Sequence, residues 1–216
     1  QLHRRQRQMC IRDRFMINKI TLFTLGLFLT SYTFSQNVDS LNVPKNFEIS
    51  IFAKNLDSPR QITETSSGHI IVGSKKGSEV IALVDLDDNG FMKKRLIANN
   101  LQNPAGVVYY EGDLYFAEMD TIWIIKNIDK WLNSNSIELP DKKIYMNDLP
   151  SETWHGLKYI DFGPDGNLYI PVGVPCNICL EPQTKDPRFA AIHKYEDGKL
   201  VTCLLYTSDA ADDGVG

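Results

Sequence analysis

Residues His155–Cys179 read HGLKYIDFGPDGNLYIPVGVPCNIC. Two apolar runs, Leu157–Phe162 and Leu168–Val172, flank Gly163-Pro164-Asp165-Gly166. Proline presets φ, aspartate bonds the local backbone and glycine takes positive φ, so the segment reads as strand, tight turn, strand. The same unit recurs upstream. Gly68-His-Ile-Ile-Val follows Gln61–Ser67, and Gly112-Asp-Leu-Tyr-Phe follows Gly106–Glu111. The turn glycines Gly68, Gly112 and Gly166 are 44 and 54 residues apart. Several short strands repeating at roughly 40–50 residues are the pattern of an all-β chain built as a β-propeller.

Working outward, three blades are expected. The first uses Gln61–Glu64, Ile70–Gly73, Val80–Val84 and Lys94–Ala98. The second uses Gly106–Tyr110, Leu114–Ala117, Ile122–Lys126 and Lys143–Met146. The third uses Leu157–Phe162, Leu168–Val172, Ala191–Tyr195 and a strand starting near Lys199, and Phe47–Ala53 is expected as an extra closing strand. Propellers need four to eight blades, so three form part of a ring. Innermost strands start at the top face, which places Arg60, Asn103 and His155 there, together with the long loop Gly173–Phe189.

The termini read differently. Arg4–Asp13 and Cys203–Asp212 can be encoded by DNA segments that are reverse complements, the mark of a translated sequencing adapter. Residues 1–14 and 203–216 are therefore set aside from fold reasoning. The natural frame is expected to continue beyond Thr202, leaving 36–202 as the N-terminal half of a propeller domain that would be inactive alone. Met16 is the expected start. Lys19 and the apolar run Ile20–Leu29, ahead of Thr33-Phe34-Ser35, make 16–35 a cleaved signal peptide, too short to span a bilayer. The expected address is periplasmic or secreted, with no membrane insertion after cleavage. The remaining chain keeps 17 basic and 23 acidic residues, a net charge near −6 without a charge run. That excludes nucleic acid as an expected partner.

Four features bear on chemistry. His155 is a candidate to take a proton from a hydroxyl; the alternative is a histidine bonded to loop backbone. Cys176-Asn-Ile-Cys179 in an exported chain favours a structural disulfide over a redox dithiol. Haem attachment would need histidine where Leu180 stands. Lys158 and Arg60 either bind an anionic cofactor or sit at solvated rims. Asp85-Leu-Asp-Asp-Asn-Gly90 reads as a hairpin turn, since Leu96 occupies the twelfth position where a calcium loop needs glutamate.

The motif H-x(6)-F-G-P-D-G-x-L-Y-x(3)-G, carried by His155, Phe162–Gly166, Leu168-Tyr169 and Gly173, resembles the glucose/sorbosone dehydrogenase family. Val172–Cys179 and Asp186–Phe189 are closer to its sorbosone dehydrogenase branch. The resemblance implies an exported six-bladed propeller using pyrroloquinoline quinone (PQQ) and calcium, with a sugar or polyol as substrate and a separate electron acceptor. It implies that His155 is the general base while hydride passes to the quinone, with the calcium ligands in the half not present here. Two positions depart from the glucose enzymes. Val174 stands where an aspartate orients the histidine, and Lys158-Tyr159 replaces a glycine-arginine pair. The rival expectations are a non-catalytic carbohydrate- or protein-binding propeller and a propeller sugar lactonase. The lactonase would need an acid at the top of blade one, where Arg60-Gln61 stands.

Overall fold

A computed structural model describes residues 41–86, 88, 90–177 and 185–205, with backbone alone at 204 and 205. The expected signal peptide, Cys179 and residues 206–216 lie outside them. The chain divides into two compact units, 1–50 and 51–216. In the first, the described residues 41–50 hold a turn closed by the Phe47 amide on the Pro44 carbonyl (3.1 Å) and no strand.

The second unit contains three antiparallel four-stranded sheets, each a run of sequential hairpins. Blade one is β1 (Pro59–Glu64), β2 (Ile70–Ser74), β3 (Val80–Leu86) and β4 (Met92–Ala98). Blade two is β5 (Gly106–Tyr110), β6 (Asp113–Ala117), β7 (Ile122–Ile125) and β8 (Lys143–Met146), with one short helix, α1 (Ile128–Leu132), before β8. Blade three is β9 (Asp161–Phe162), β10 (Leu168–Val172), β11 (Ala191–Glu196) and β12 (Lys199–Leu205).

Blade two shows why these residues make strands. Its side chains alternate between two cores. Val107, Leu114, Phe116 and Ile125 join Ile71, Val80 and Ile97 of blade one. Val108, Tyr115, Ala117, Ile122 and Ile124 join Ile160, Leu168, Ile170 and Val172 of blade three. A sheet buried on both faces reads as a continuous apolar run. Blade one packs its other face less completely: Val72 and Leu83 are buried there, whereas Ile62 (63% exposed) and Leu86 (60%) face outward.

Two expectations are corrected and two features are added. Phe47–Ala53 forms no strand; Phe52 only accepts one bond, from the Met92 amide (3.3 Å). The first strand of blade three is two residues long rather than Leu157–Phe162. Pro171 has no N–H to donate; β11 keeps register with it, whereas the ladder to β9 stops at Tyr169. Helix α1 was not anticipated, being little more than one turn. Strand β12 starts at Lys199 as expected and runs through Leu205, where Ala191 and Ile192 offer backbone groups that any extended segment can pair. The Pro-Asp-Gly turn forms as read: the Gly166 amide donates to the Gly163 carbonyl (2.9 Å), with Gly166 at φ 75°.

Candidate active site at the start of the third blade

The innermost strands lie side by side and in the same direction. The Gln61 amide donates to the Ala105 carbonyl (3.3 Å), and the Gln61 side-chain Nε2 reaches the Ile160 carbonyl (2.8 Å). The Lys158 carbonyl approaches Gly106 so closely that a Cβ there would overlap it. The starts of all three strands therefore share one end of the unit.

At each of those starts one non-glycine residue is left-handed: Ser58 (φ 46°), Asn103 (φ 50°) and His155 (φ 54°). Such a conformation is uncommon for a bulky side chain. The three lie one, three and six residues before β1, β5 and β9, and the one before blade three is the imidazole.

His155 is exposed, and its Nδ1 lies 3.0 Å from the Val174 carbonyl. A carbonyl only accepts, so Nδ1 carries a hydrogen, and in the neutral ring Nε2 is then the nitrogen with the lone pair. The partner expected to be missing once Val174 replaced an acid is thus supplied by the backbone of Val174. Gly173 makes the approach possible, since a Cβ there would overlap the His155 carbonyl oxygen. Both readings of His155 meet here: one nitrogen is bonded to loop backbone and the other is open.

Lys158 is not at a solvated rim. It is 1% exposed, and its ammonium donates to the carbonyls of Gly156 (2.6 Å) and Pro150 (3.2 Å). Burial pushes the ammonium down to about 8, against the opposing pull of Glu152 and Asp120. The side chain thus pins the loop carrying His155 from beneath. Arg60 is exposed and, among the described residues, its guanidinium donates to the adjacent Pro59 carbonyl (2.9 Å), leaving donors for a ligand. Cys176 is disulfide-bonded, and its expected partner Cys179 lies outside the described residues.

Several further side chains hold this end together. Arg188 forks onto Asp186 (2.7–3.1 Å), bonds the Asp148 carbonyl and pairs with the Asp148 carboxylate (3.6 Å), tying the long loop to the segment before His155. Those hydrogen bonds hold the Asp186 carboxyl below the usual carboxylate range. His193, fully buried, donates Nε2–H to the Arg188 carbonyl (2.8 Å) and accepts from the Thr202 hydroxyl at Nδ1 (3.2 Å). Trp154 packs against His155 with ring centroids 5.5 Å apart. Asp186 and Arg188, two residues apart in one loop, were the available sequence signal for the clamp. The Val174 carbonyl had none. Among the described residues, no group of three or more His, Cys, Asp or Glu side chains is arranged to hold a metal.

No known protein-family profile matches the chain. A curated protein of Borreliella burgdorferi, described as uncharacterized, is 28% identical over 230 residues, covering 95% of this chain and 59% of that one. The PQQ domain of pyranose dehydrogenase from Coprinopsis cinerea, in its holo form, superposes with a TM-score of 0.57 at 16% identity, over 71% of this chain and 37% of that one. A carbohydrate-active enzyme of family AA12 from Trichoderma reesei superposes with a TM-score of 0.53 at 17% identity, over 68% and 37%. The chain thus spans about 59% of the curated relative's length and 37% of each solved chain. At these identities the likeness shows the fold alone: three four-stranded blades of a β-propeller.

Proposed function

We propose that this chain is part of an exported, six-bladed quinoprotein of the glucose/sorbosone dehydrogenase type, oxidising a hydroxyl of a sugar or polyol with His155 as general base. The observation that carries the reading is the His155–Val174 hydrogen bond. It directs Nδ1 of an exposed imidazole to the backbone and leaves the Nε2 position open, at the shared end of three innermost strands. The likeness in fold to a PQQ domain supports the cofactor class.

PQQ, when bound, supplies the two-electron acceptor for a hydride from the substrate carbon. Nε2 of His155 takes the hydroxyl proton, so alcohol becomes carbonyl as one proton and one hydride leave. The Val174 carbonyl fixes the ring orientation and favours the imidazolium that results. Of the two cationic side chains considered for the cofactor, Arg60 fits a carboxylate because its guanidinium is exposed. Lys158 does not, because its ammonium is spent on loop carbonyls. Calcium is proposed with the family, its ligands outside the described residues.

The test uses the full-length gene product given PQQ and calcium, with an artificial dye as acceptor and a panel of aldoses and polyols. Turnover is expected, and His155→Ala is expected to lower it by about 10²–10⁴-fold, the span of general-base catalysis, without unfolding the ring. Unchanged turnover in His155→Ala removes His155 from the mechanism. Absence of quinone binding with retained glycan binding favours the non-catalytic propeller instead.

A further inference from the structure

Three tryptophans lie among the described residues, and two are already covered. Trp131 carries the Arg95 guanidinium over its ring at 3.8 Å and donates its indole N–H to the Glu138 carbonyl (2.9 Å). Trp123 carries the Lys142 ammonium at 3.6 Å and donates to Glu118 (2.6 Å). Trp154 is different. It is 59% exposed, and among the described residues its indole makes no hydrogen bond; its ring contact is with His155, tilted by 44°. A tryptophan left open beside a reactive imidazole offers a large, flat, amphipathic surface.

The turn presenting this pair is held from several sides. The Gly156 amide donates to the Thr153 carbonyl (3.4 Å), and a Cβ on Gly156 would overlap the Glu152 carbonyl and the end of Met119. Lys158 binds the Gly156 carbonyl from beneath, and Arg188 anchors Asp148 at the other end of the loop. A surface pre-organised in this way loses little freedom when it is covered.

Charge then selects the occupant. The loop carries two exposed carboxylates, Asp148 and Glu152. Its nearby cations are engaged, Arg188 by Asp186 and Asp148 and Lys158 by backbone carbonyls. A quinone bearing several carboxylates would find neither of these cations free and would face the exposed Glu152 carboxylate. A neutral ring with an apolar C–H face and peripheral hydroxyls meets an indole, carboxylate acceptors and an open imidazole nitrogen.

We propose that the Trp154 indole is the platform on which a neutral pyranose ring stacks, presenting one ring hydroxyl to Nε2 of His155. This rests on the reading of His155 as proton acceptor and adds the substrate-facing surface beside it. The quinone, by this account, occupies a different part of the channel end.

The test is calorimetric titration of the full-length protein with a series of methyl pyranosides, which cannot open, and separately with PQQ by absorbance. Trp154→Ala is expected to weaken glycoside binding by roughly tenfold or more, the loss of an aromatic face, while Trp154→Phe keeps most of it and neither changes PQQ affinity. Near-UV circular dichroism confirms that both variants are folded. Glycoside binding equal to wild type in Trp154→Ala overturns the proposal, as does failure of the wild type to bind any glycoside of the series. Loss of PQQ binding in Trp154→Ala with glycoside binding intact assigns the ring to the cofactor and overturns it too. If the wild type binds glycoside through Trp154 but binds no PQQ, the dehydrogenase reading fails while the sugar platform stands.

Discussion

Asp129 and His155 sit at opposite ends of the blades and differ in how many of their bonds are used. Asp129, on helix α1, accepts from the Ser67 amide and hydroxyl, from Ser66 (2.9 Å) and from the Tyr109 hydroxyl (2.5 Å). Burial would raise its carboxyl, but the hydrogen bonds from Ser67, Tyr109 and Ser66 outweigh it and hold the group down at about 2. Its four donors come from the β1–β2 turn and β5, so it fastens blade one to blade two. His155 spends one nitrogen on Val174 and keeps the other open. A saturated polar cluster fixes structure, whereas an under-used group on a pinned loop is available for chemistry.

The sharpest way to break this contrast is Gly173→Ala. A methyl group there collides with the His155 carbonyl, so the imidazole must move while the Asp129 cluster is untouched. Displacement of a reactive group by about 1 Å costs on the order of 100-fold in rate. Steady-state kinetics on the full-length enzyme should show that loss with little change in the urea midpoint. Full activity would mean that the His155 position is not held by this approach.

Lys158→Met comes next. It removes the donor to two buried carbonyls, and the expected loss is about 2 kcal/mol at pH 7 by urea unfolding. The charge also has a signature in pH. The folded ammonium titrates at about 8 and the unfolded one at 10.5, so the unfolded chain binds more protons between them. Stability should therefore rise as the pH goes from about 8 to about 10.5, by at most about 3 kcal/mol, and Lys158→Met should flatten that rise. A variant with the wild-type slope would show that Lys158 is not the group responsible.

The smallest effect is expected at the other end. Asp129→Asn should cost about 1 kcal/mol, because the cluster is partly solvated and loses charge-assisted bonds rather than all bonds. Its folded carboxyl is depressed, so the contribution is complete above about 3.8 and is lost as the pH falls toward 2. Thermal melts across that window should converge for wild type and variant at the acid end. Turnover per folded molecule should stay at the wild-type value, unlike that of Gly173→Ala.

How far these differences could be read in the sequence depends on what kind of group carries them. Gly68, Gly112 and Gly166, with period-two apolar runs, located most strands because turn chemistry and alternation are written in side chains. The shortening of β9 was also written there, in Pro171. Lys158 shares the parity of Ile160, which is fully buried, so its inward placement was legible from alternation within Leu157–Ile160. The orientation of His155 was not, since it depends on the main-chain carbonyl of Val174, which any residue could supply. Trp154 gave no signal beyond its adjacency to His155, because exposure of an aromatic ring is settled by the packing around it.

The most direct test of the central claim is the tautomer of His155, read from ¹⁵N couplings in the full-length protein with labelled histidine and assigned with His155→Ala. The account predicts that the neutral ring carries its hydrogen on Nδ1, bonded to the Val174 carbonyl, with Nε2 bare. Hydrogen on Nε2 with a bare Nδ1 would contradict it, since the carbonyl would then hold nothing and the open nitrogen would be unable to take a proton from a substrate hydroxyl.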